Sequence, residues 1–438
     1  MTKDFVTLFL VARNRGMSRH LKPTLSLRFS LRILTINLCL VIQNNAFSQE
    51  NLVLDYVVEE LRKNNPELQS YRSQERAETA NIGTEVYLPP PTLTFGSMGE
   101  QNPFSMKMEE SIGITQMIPF PSKAFRKREA LKAQAEVARA ATSAVARQLL
   151  AESKKTFFDY WRFTQTEELL KENLDILQEH VKRIRSAPFR NQLMQAHLLS
   201  VQSDEDLAQN ELYATEQEIK TIKATLNALM GRDPSLPLAR PTYQNLSPLP
   251  VAPSKEKIDQ LVASHPSARQ RFFKQKSMES ALSASRSDYL PDLMVGYRYN
   301  KRHDNTPNNH ELMLGITMPF AFPWQVNARV ETARHKAEAA RHLNSKEIYD
   351  LKLQVLKSFS QLTSFHSQLL QLEKKILPQA QKRQHIAHGI APTDFESLME
   401  HRDALESYVD LKLKHAELRA NYEKALVDYQ TLFESEEQ

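Results

Sequence analysis

The sequence states nearly the same pattern twice, about two hundred residues apart. Tyr87-Leu88-Pro89 returns as Tyr289-Leu290-Pro291 at an offset of 202. At that same offset Gly113-Ile114-Thr115, Phe120-Pro121 and Ala135-Glu136 return as Gly315-Ile316-Thr317, Phe322-Pro323 and Ala337-Glu338. Asn65-Pro66 faces His265-Pro266 upstream, and Leu193-Met194 faces Leu398-Met399 downstream. Self-similarity over such a length marks a duplicated supersecondary unit, so the fold is read one copy at a time.

Each copy opens with a helical run that meets a proline. The first extends from about Leu52 to Tyr87 with a break near Asn65-Pro66; its counterpart starts near Lys255 and breaks at Pro266. Both runs end at Tyr-Leu-Pro, where proline's fixed φ and missing donor stop a helix. Two alternating segments follow. Leu93 and Phe95 alternate with Thr94 and Gly96, and Val295, Tyr297 and Tyr299 with Gly296, Arg298 and Asn300. Ile112 and Ile114, then Leu312, Leu314, Ile316 and Met318, alternate in the same phase. Period-two alternation predicts strands with unlike faces. The segments are about 9–11 residues, the length of a tilted strand across a bilayer.

The rest of each copy has heptad spacing. Leu170, Leu174, Leu177, Val181 and Ile184 form one seam, continued by Leu212, Ile219, Ile222, Leu226 and Leu229. In the second copy Leu362, Phe365, Leu369, Leu372 and Ile376 are followed by Leu411, His415, Leu418, Tyr422, Ala425, Tyr429 and Leu432. This predicts a long antiparallel helical hairpin in each copy. Lys123 to Ile184 alone would make roughly 90 Å of helix. The turns fall at 185–191 and 389–395, containing Ala187-Pro188 and Ala391-Pro392. Between the copies, Pro234, Pro237, Pro241, Pro248, Pro250 and Pro253 predict an extended connector.

The formal charge of +5 is concentrated at one end of the chain. Lys3, Arg13, Arg15, Arg19, Lys22, Arg28 and Arg32 against Asp4 contribute +6, which leaves −1 for everything after residue 48. A nucleic-acid footprint is therefore not expected. The basic segment precedes a short apolar core, Ile33 to Ile42, and Ala46-Phe47-Ser48 before Gln49, which describes a secretory signal peptide, with Met17 as an alternative start. Cys39, the single cysteine, lies in that core behind Leu38, so neither a lipid anchor nor a disulfide is expected in the mature chain. Four segments divide the chain: signal peptide 1–48, first repeat 49–231, connector 232–254 and second repeat 255–438.

Four strands cannot close a barrel. In lipid their bare edges would cost several kcal/mol per unpaired group. Strands that span a membrane must therefore be pooled among several chains, and the helical hairpins continuous with them would pool into a tube. A secreted chain of this kind is a conduit.

With those residues in view, the chain resembles the TolC-like outer-membrane factors, the exit ducts of tripartite efflux and type I secretion systems. The resemblance covers essentially everything after the signal peptide. It rests on the duplication, on Asn65-Pro66-Glu67-Leu68, on both Tyr-Leu-Pro sites, and on Leu226-Asn227-Ala228-Leu229-Met230-Gly231. It implies a mainly α fold with a membrane β-barrel portion, assembled as a homotrimer with a twelve-stranded barrel and an α-helical periplasmic barrel. The implied partners are outer-membrane lipid, a periplasmic adaptor (membrane fusion) protein, and an inner-membrane pump reached indirectly. Residues 116–123 and 376–380 are similar to segments of the heavy-metal efflux branch, although Ser122 stands where that branch usually has glycine.

The lipid-facing strand residues expected are Leu93, Phe95, Ile112, Ile114, Val295, Tyr297, Leu312, Leu314 and Ile316. The hairpin tips, with Ala187, Pro188, Phe189, Gly389, Ala391 and Pro392, would contact the adaptor; Ala391 replaces a glycine common in the family. Asp394, Glu396 and Glu400 would form a carboxylate ring at the periplasmic aperture, held closed by Arg183, Arg185 or Arg190 of a neighbouring hairpin. A solvated helix face is the plainer account of those carboxylates. His303 and His310 flank a polar loop at a spacing that matches no metal motif. The methionines Met98, Met106, Met108, Met117, Met313 and Met318 are expected on apolar barrel surface rather than as copper ligands. No phosphate-cradling loop, zinc-protease motif or nucleophile elbow is present, so neither catalysis nor a cofactor is expected. The competing architecture is a soluble periplasmic coiled-coil adaptor or tether whose hairpins never meet lipid.

Overall fold

The computed structural model describes residues 51–85, 88–99, 108–186, 192–301, 307, 309–321, 323–389 and 395–433. In chain order the elements are α1 (Leu54–Asn64), α2 (Pro66–Asn81), β1 (Thr92–Gly99), β2 (Met108–Ile118), α3 (Pro121–Ser186) and α4 (Gln192–Leu229). The second half has α5 (Lys255–Ser264), α6 (Pro266–Ser287), β3 (Leu293–Lys301), β4 (Asn309–Ile316), α7 (Pro323–Gln371), α8 (Leu377–Gly389) and α9 (Phe395–Phe433). No helix among the described residues is long and apolar enough to cross a membrane.

The proline breaks are helix boundaries made by local chemistry. Asn65 accepts the Leu68 N–H on its side-chain oxygen while Pro66 takes the first helical position, where its missing donor costs nothing. Its amide nitrogen also donates to the Leu229 carbonyl at 2.8 Å, which ties α2 to the end of α4. His265 does the corresponding work ahead of Pro266, its Nδ1 accepting the Ser267 N–H at 3.3 Å. The first helical run ends earlier than expected: α2 stops at Asn81 and a single 3₁₀ turn, Ile82–Glu85, follows.

The four strands form one antiparallel sheet in the order β1-β2-β3-β4. The central pair, β2 with β3, joins the two copies, matching Ile114 with Tyr297 and Ile112 with Tyr299. At eight residues each, β1 and β4 are shorter than the expected span.

At 66 residues α3 is about 100 Å long and runs alongside most of the other helices. With α4 it closes the first hairpin, burying Leu170, Leu174, Leu177, Val181, Ile184, Met194, Val201 and Leu212 in one seam. The second hairpin departs from a continuous heptad. Leu372–Ile376 form a π-helical turn between α7 and α8, with the Leu377 N–H bonded to the Leu372 carbonyl. Pro378, one residue on, has no N–H and would crowd the carbonyl of Lys374, and the wider turn accommodates it. Leu372 stays buried, while Ile376 is displaced to 36% exposure.

The connector is extended, as its prolines demand, and it is packed. Gly231 ends α4 at φ 69, with the Arg232 N–H returning to the Asn227 carbonyl. Pro241 bridges to Leu52, and Tyr243 packs edge-on against Phe158 and Trp161. Buried Glu423 on α9 receives the Tyr243 hydroxyl and the Ser247 N–H. Across the two hairpins α3 and α9 are further joined by Lys155–Asp428, Lys424–Asp159 and Lys412–Glu172.

Candidate functional site

The sheet sorts its side chains into two unlike faces. Register aligns Leu93, Ile114, Tyr297 and Leu312 in one row, and Phe95, Ile112, Tyr299 and His310 in the next. Val295 with Leu314, and Leu293 with Ile316, extend that face toward the long helices. Leu93, Phe95, Ile112, Ile114, Val295, Tyr297, Leu312, Leu314 and Ile316 therefore lie on one face, and all are exposed in the chain, from 37% at Val295 to 77% at Leu314. The opposite face carries Thr94, Gly113, Arg298 and Glu311 in one row, with Arg298 and Glu311 paired at 3.6 Å, and Gly96, Ser111, Asn300 and Asn309 in another.

Two of the methionines expected on apolar surface, Met117 and Met313, lie on the opposite face instead, and Met294 joins them. All three lie on the Arg298 face, because each sits out of phase with the leucine and isoleucine rows. There Met313 covers Gly296 and Met294 covers Gly315; a Cβ on Gly315 would come within 2.9 Å of the Met294 methyl. The bare glycines make room for the flexible thioethers. His310 hydrogen-bonds the Tyr297 hydroxyl through Nδ1, whereas His303 lies outside the described residues.

The sheet is clamped to the helices at its foot. Asp292, just before β3, accepts from Lys123 Nζ at 2.8 Å and from the Phe120 N–H at 3.2 Å, while its own N–H donates to Thr317 Oγ1. The Lys123 and Asp292 side chains are only 9% and 21% exposed, so the start of the first long helix is locked to the second copy's strand. Around this foot Phe120, Phe125, Phe320 and Trp324 are exposed.

At the other end of the hairpins, Ala187, Pro188, Phe189, Arg190, Ala391, Pro392 and Asp394 lie outside the described residues. Gly389 closes α8 with open space around it, and Arg185 and Glu396 are exposed. Glu400 is paired within its own hairpin: Arg383 on α8 donates to both carboxylate oxygens, at 2.9 and 3.1 Å. That hydrogen bonding holds the Glu400 carboxyl below its usual range. Arg183 is engaged by Glu179 of its own helix at 2.7 Å and faces His401 across the seam.

Sequence reasoning passed over Arg383 and four histidines near these ends: His180, His197, His388 and His401. A signal existed. His180 is three residues after Leu177, His197 three after Met194 and His401 three after Leu398, so each takes an apolar position of a heptad.

No family model matches the sequence, and no curated protein matches it either. Solved structures do match. The open-state outer-membrane channel MtrE of Neisseria gonorrhoeae superposes with TM-score 0.74 at 12% identity, over 86% of this chain and 88% of that one. The outer-membrane protein VceC of Vibrio cholerae gives TM-score 0.69 at 12% identity, over 87% and 96%. CusC, whose structures concern transmembrane channel formation, gives 0.71 at 15% identity, over 87% and 92%. At such identities the likeness is one of architecture: this chain has the fold of outer-membrane channel proteins.

Proposed function

We propose that the chain is the outer-membrane exit duct of a tripartite efflux or type I secretion system. The observation that carries this reading is the open four-stranded sheet with one exposed, largely apolar face and an opposite face that carries Thr94, Arg298, Glu311 and Asn300, mounted on a helix about 100 Å long. In water such an apolar face would be a liability; in lipid it is solvated, and the polar face then lines a wet lumen. Among the described residues β1 and β4 have no outer neighbour, so the sheet closes only if other copies supply one. Three copies make a twelve-stranded barrel, and their hairpins a periplasmic tube. Phe120, Phe125, Phe320 and Trp324 fit the aromatic belt at the inner rim of such a barrel.

In this reading residues 49–231 and 255–438 are the two repeats and 232–254 the strap between them. The tips around Ala187 and Ala391 meet the adaptor, which links the duct to an inner-membrane pump. Asp394, Glu396 and Glu400 line the aperture, and metal cations are the cargo that residues 116–123 and 376–380 suggest. Outer-membrane fractionation with gel migration of unheated and boiled samples tests the proposal. A heat-dissociable trimer in that fraction supports the duct. A soluble periplasmic monomer would instead establish the adaptor or tether reading.

A further inference from the structure

Four histidines meet where the two hairpins face each other, close to the ends of α3, α4, α8 and α9. His180 and His197 lie in the apolar seam of the first hairpin, 2% and 4% exposed, with their Nε2 atoms 3.2 Å apart. Only one of those two nitrogens can carry a proton toward the other, so the contact requires a neutral ring on at least one side. In the second hairpin His401 Nε2 faces His388 Nδ1 at 3.5 Å and Arg183 Nη1 at 3.5 Å. A guanidinium only donates, so His401 Nε2 must accept. The His180 and His401 rings lie parallel with centroids 5.9 Å apart, which couples the two pairs across the hairpins. The Nδ1 atoms of both rings are buried without a hydrogen-bond partner among the described residues.

The surrounding charges do not favour a histidinium here. Glu179 and Arg183 on α3, Asp204 on α4, and Arg402 and Asp403 on α9 act on the cluster, while Arg383 on α8 and Glu400 and Glu406 on α9 are engaged by neighbouring charges. Most of the acids are already held by arginines: Glu179 by Arg183, Asp204 by Arg402 at 2.5 Å, Glu400 by Arg383, and Glu406 by Arg402 at 3.6 Å. Burial first, then His197, His401, Arg402 and Arg183, pushes the His180 imidazole down to about 4. His197 and His401 are lowered too, again mainly by burial. Among the described residues no group of three or more His, Cys, Asp or Glu side chains is placed to hold a metal ion.

We propose that this histidine seam is an acid-released latch: neutral imidazoles let the hairpins pack together near their ends, and protonation drives them apart. The sign follows from linkage. Packed His180 binds a proton only well below the ordinary histidine value of 6.5, and His197 and His401 bind theirs below it, whereas rings released to water bind them near it. Packing is therefore at full strength above 6.5 and weakens as pH falls toward about 4. Each pH unit in that window shifts the balance roughly tenfold per proton. The latch lies within one chain, so it holds whether or not copies assemble into a duct.

The test is a distance measurement on the full chain lacking Cys39, spin-labelled at the exposed positions Lys182→Cys on α3 and Gln381→Cys on α8. Double electron–electron resonance at about pH 8 and about pH 4.5 brackets the histidine range. The expected result is a shift to longer and broader distances in acid that disappears when His180, His197 and His401 are all replaced by Gln. Identical distributions at both pH values would overturn the latch. So would an acid shift that survives in the triple variant, which would assign it to the arginine–carboxylate pairs. If the triple variant does not fold, His401→Gln alone, which removes the ring facing Arg183, must reduce the acid shift; an undiminished shift overturns the proposal.

Discussion

Leu93→Arg separates a sheet that meets lipid from one that meets water. Leu93 lies in the middle apolar row with Ile114, Tyr297 and Leu312 and is 56% exposed in the chain. In a soluble protein, replacing so exposed a side chain changes stability by no more than about 0.5 kcal/mol. At the midplane of a lipid-facing barrel the same arginine costs about 2–4 kcal/mol in every copy. At 1.4 kcal/mol per factor of ten, that is roughly a 30- to 700-fold loss of inserted protein per copy. The control is its neighbour Thr94→Arg, on the face that already carries Arg298 beside the side-chain-free Gly113. It gives up one hydrogen bond, Thr94 Oγ1 to the Gly113 carbonyl, worth about 1 kcal/mol. Both variants are compared by outer-membrane fractionation and heat-modifiable migration. Leu93→Arg should deplete the assembled form while Thr94→Arg largely retains it. Equal assembly of the two would show that this face does not meet lipid, and a reversed order would exchange the lumen and lipid sides.

Gly231→Ala should cost more stability than the roughly 1–2 kcal/mol of a left-handed alanine, read as a lowered thermal midpoint. Its Cβ would also lie 2.3 Å from the Asn64 carbonyl oxygen, so an unshifted melt would refute the assigned backbone. Asp292→Asn weakens the clamp to Lys123 and should cost about 1.5–3 kcal/mol in denaturant titration, the usual worth of a hydrogen bond to a charged group. A change within experimental scatter would mean the clamp is not structural. Replacing Ala187 and Ala391 with glutamate should leave assembly intact while abolishing adaptor cross-linking and export; retained cross-linking would exclude docking at these ends. Neutralising Asp394, Glu396 and Glu400 together should reduce cation selectivity in single-channel recording and free Arg383 from its partner, and unchanged selectivity would remove the gate.

The features legible in the sequence are those set by local chemistry and by periodicity. Asn65-Pro66 and His265-Pro266 announce helix boundaries because capping and proline geometry act over three or four residues. The sharing of one sheet face by Leu93, Ile114, Tyr297 and Leu312 is legible too, because alternation and the common phase of the two copies are properties of the chain itself. Heptads likewise announce the long hairpins. Their break at Leu372–Ile376 is foreshadowed only by Pro378, since a proline does not say how a helix will absorb it. What the tertiary structure alone decided are the meetings between distant residues. The pairing of β2 with β3 joins the copies, Tyr243 finds Glu423, and Glu400 takes Arg383 of its own hairpin. The histidine seam is the sharpest case. His180, His197 and His401 each sit at an apolar heptad position, visible one at a time, but their meeting depends on histidines arriving from separate helices, the exposed His388 among them. Spacing along a helix specifies which face a side chain occupies. Which partner fills the other side of that face is decided by the packing of whole hairpins, and no local pattern encodes it.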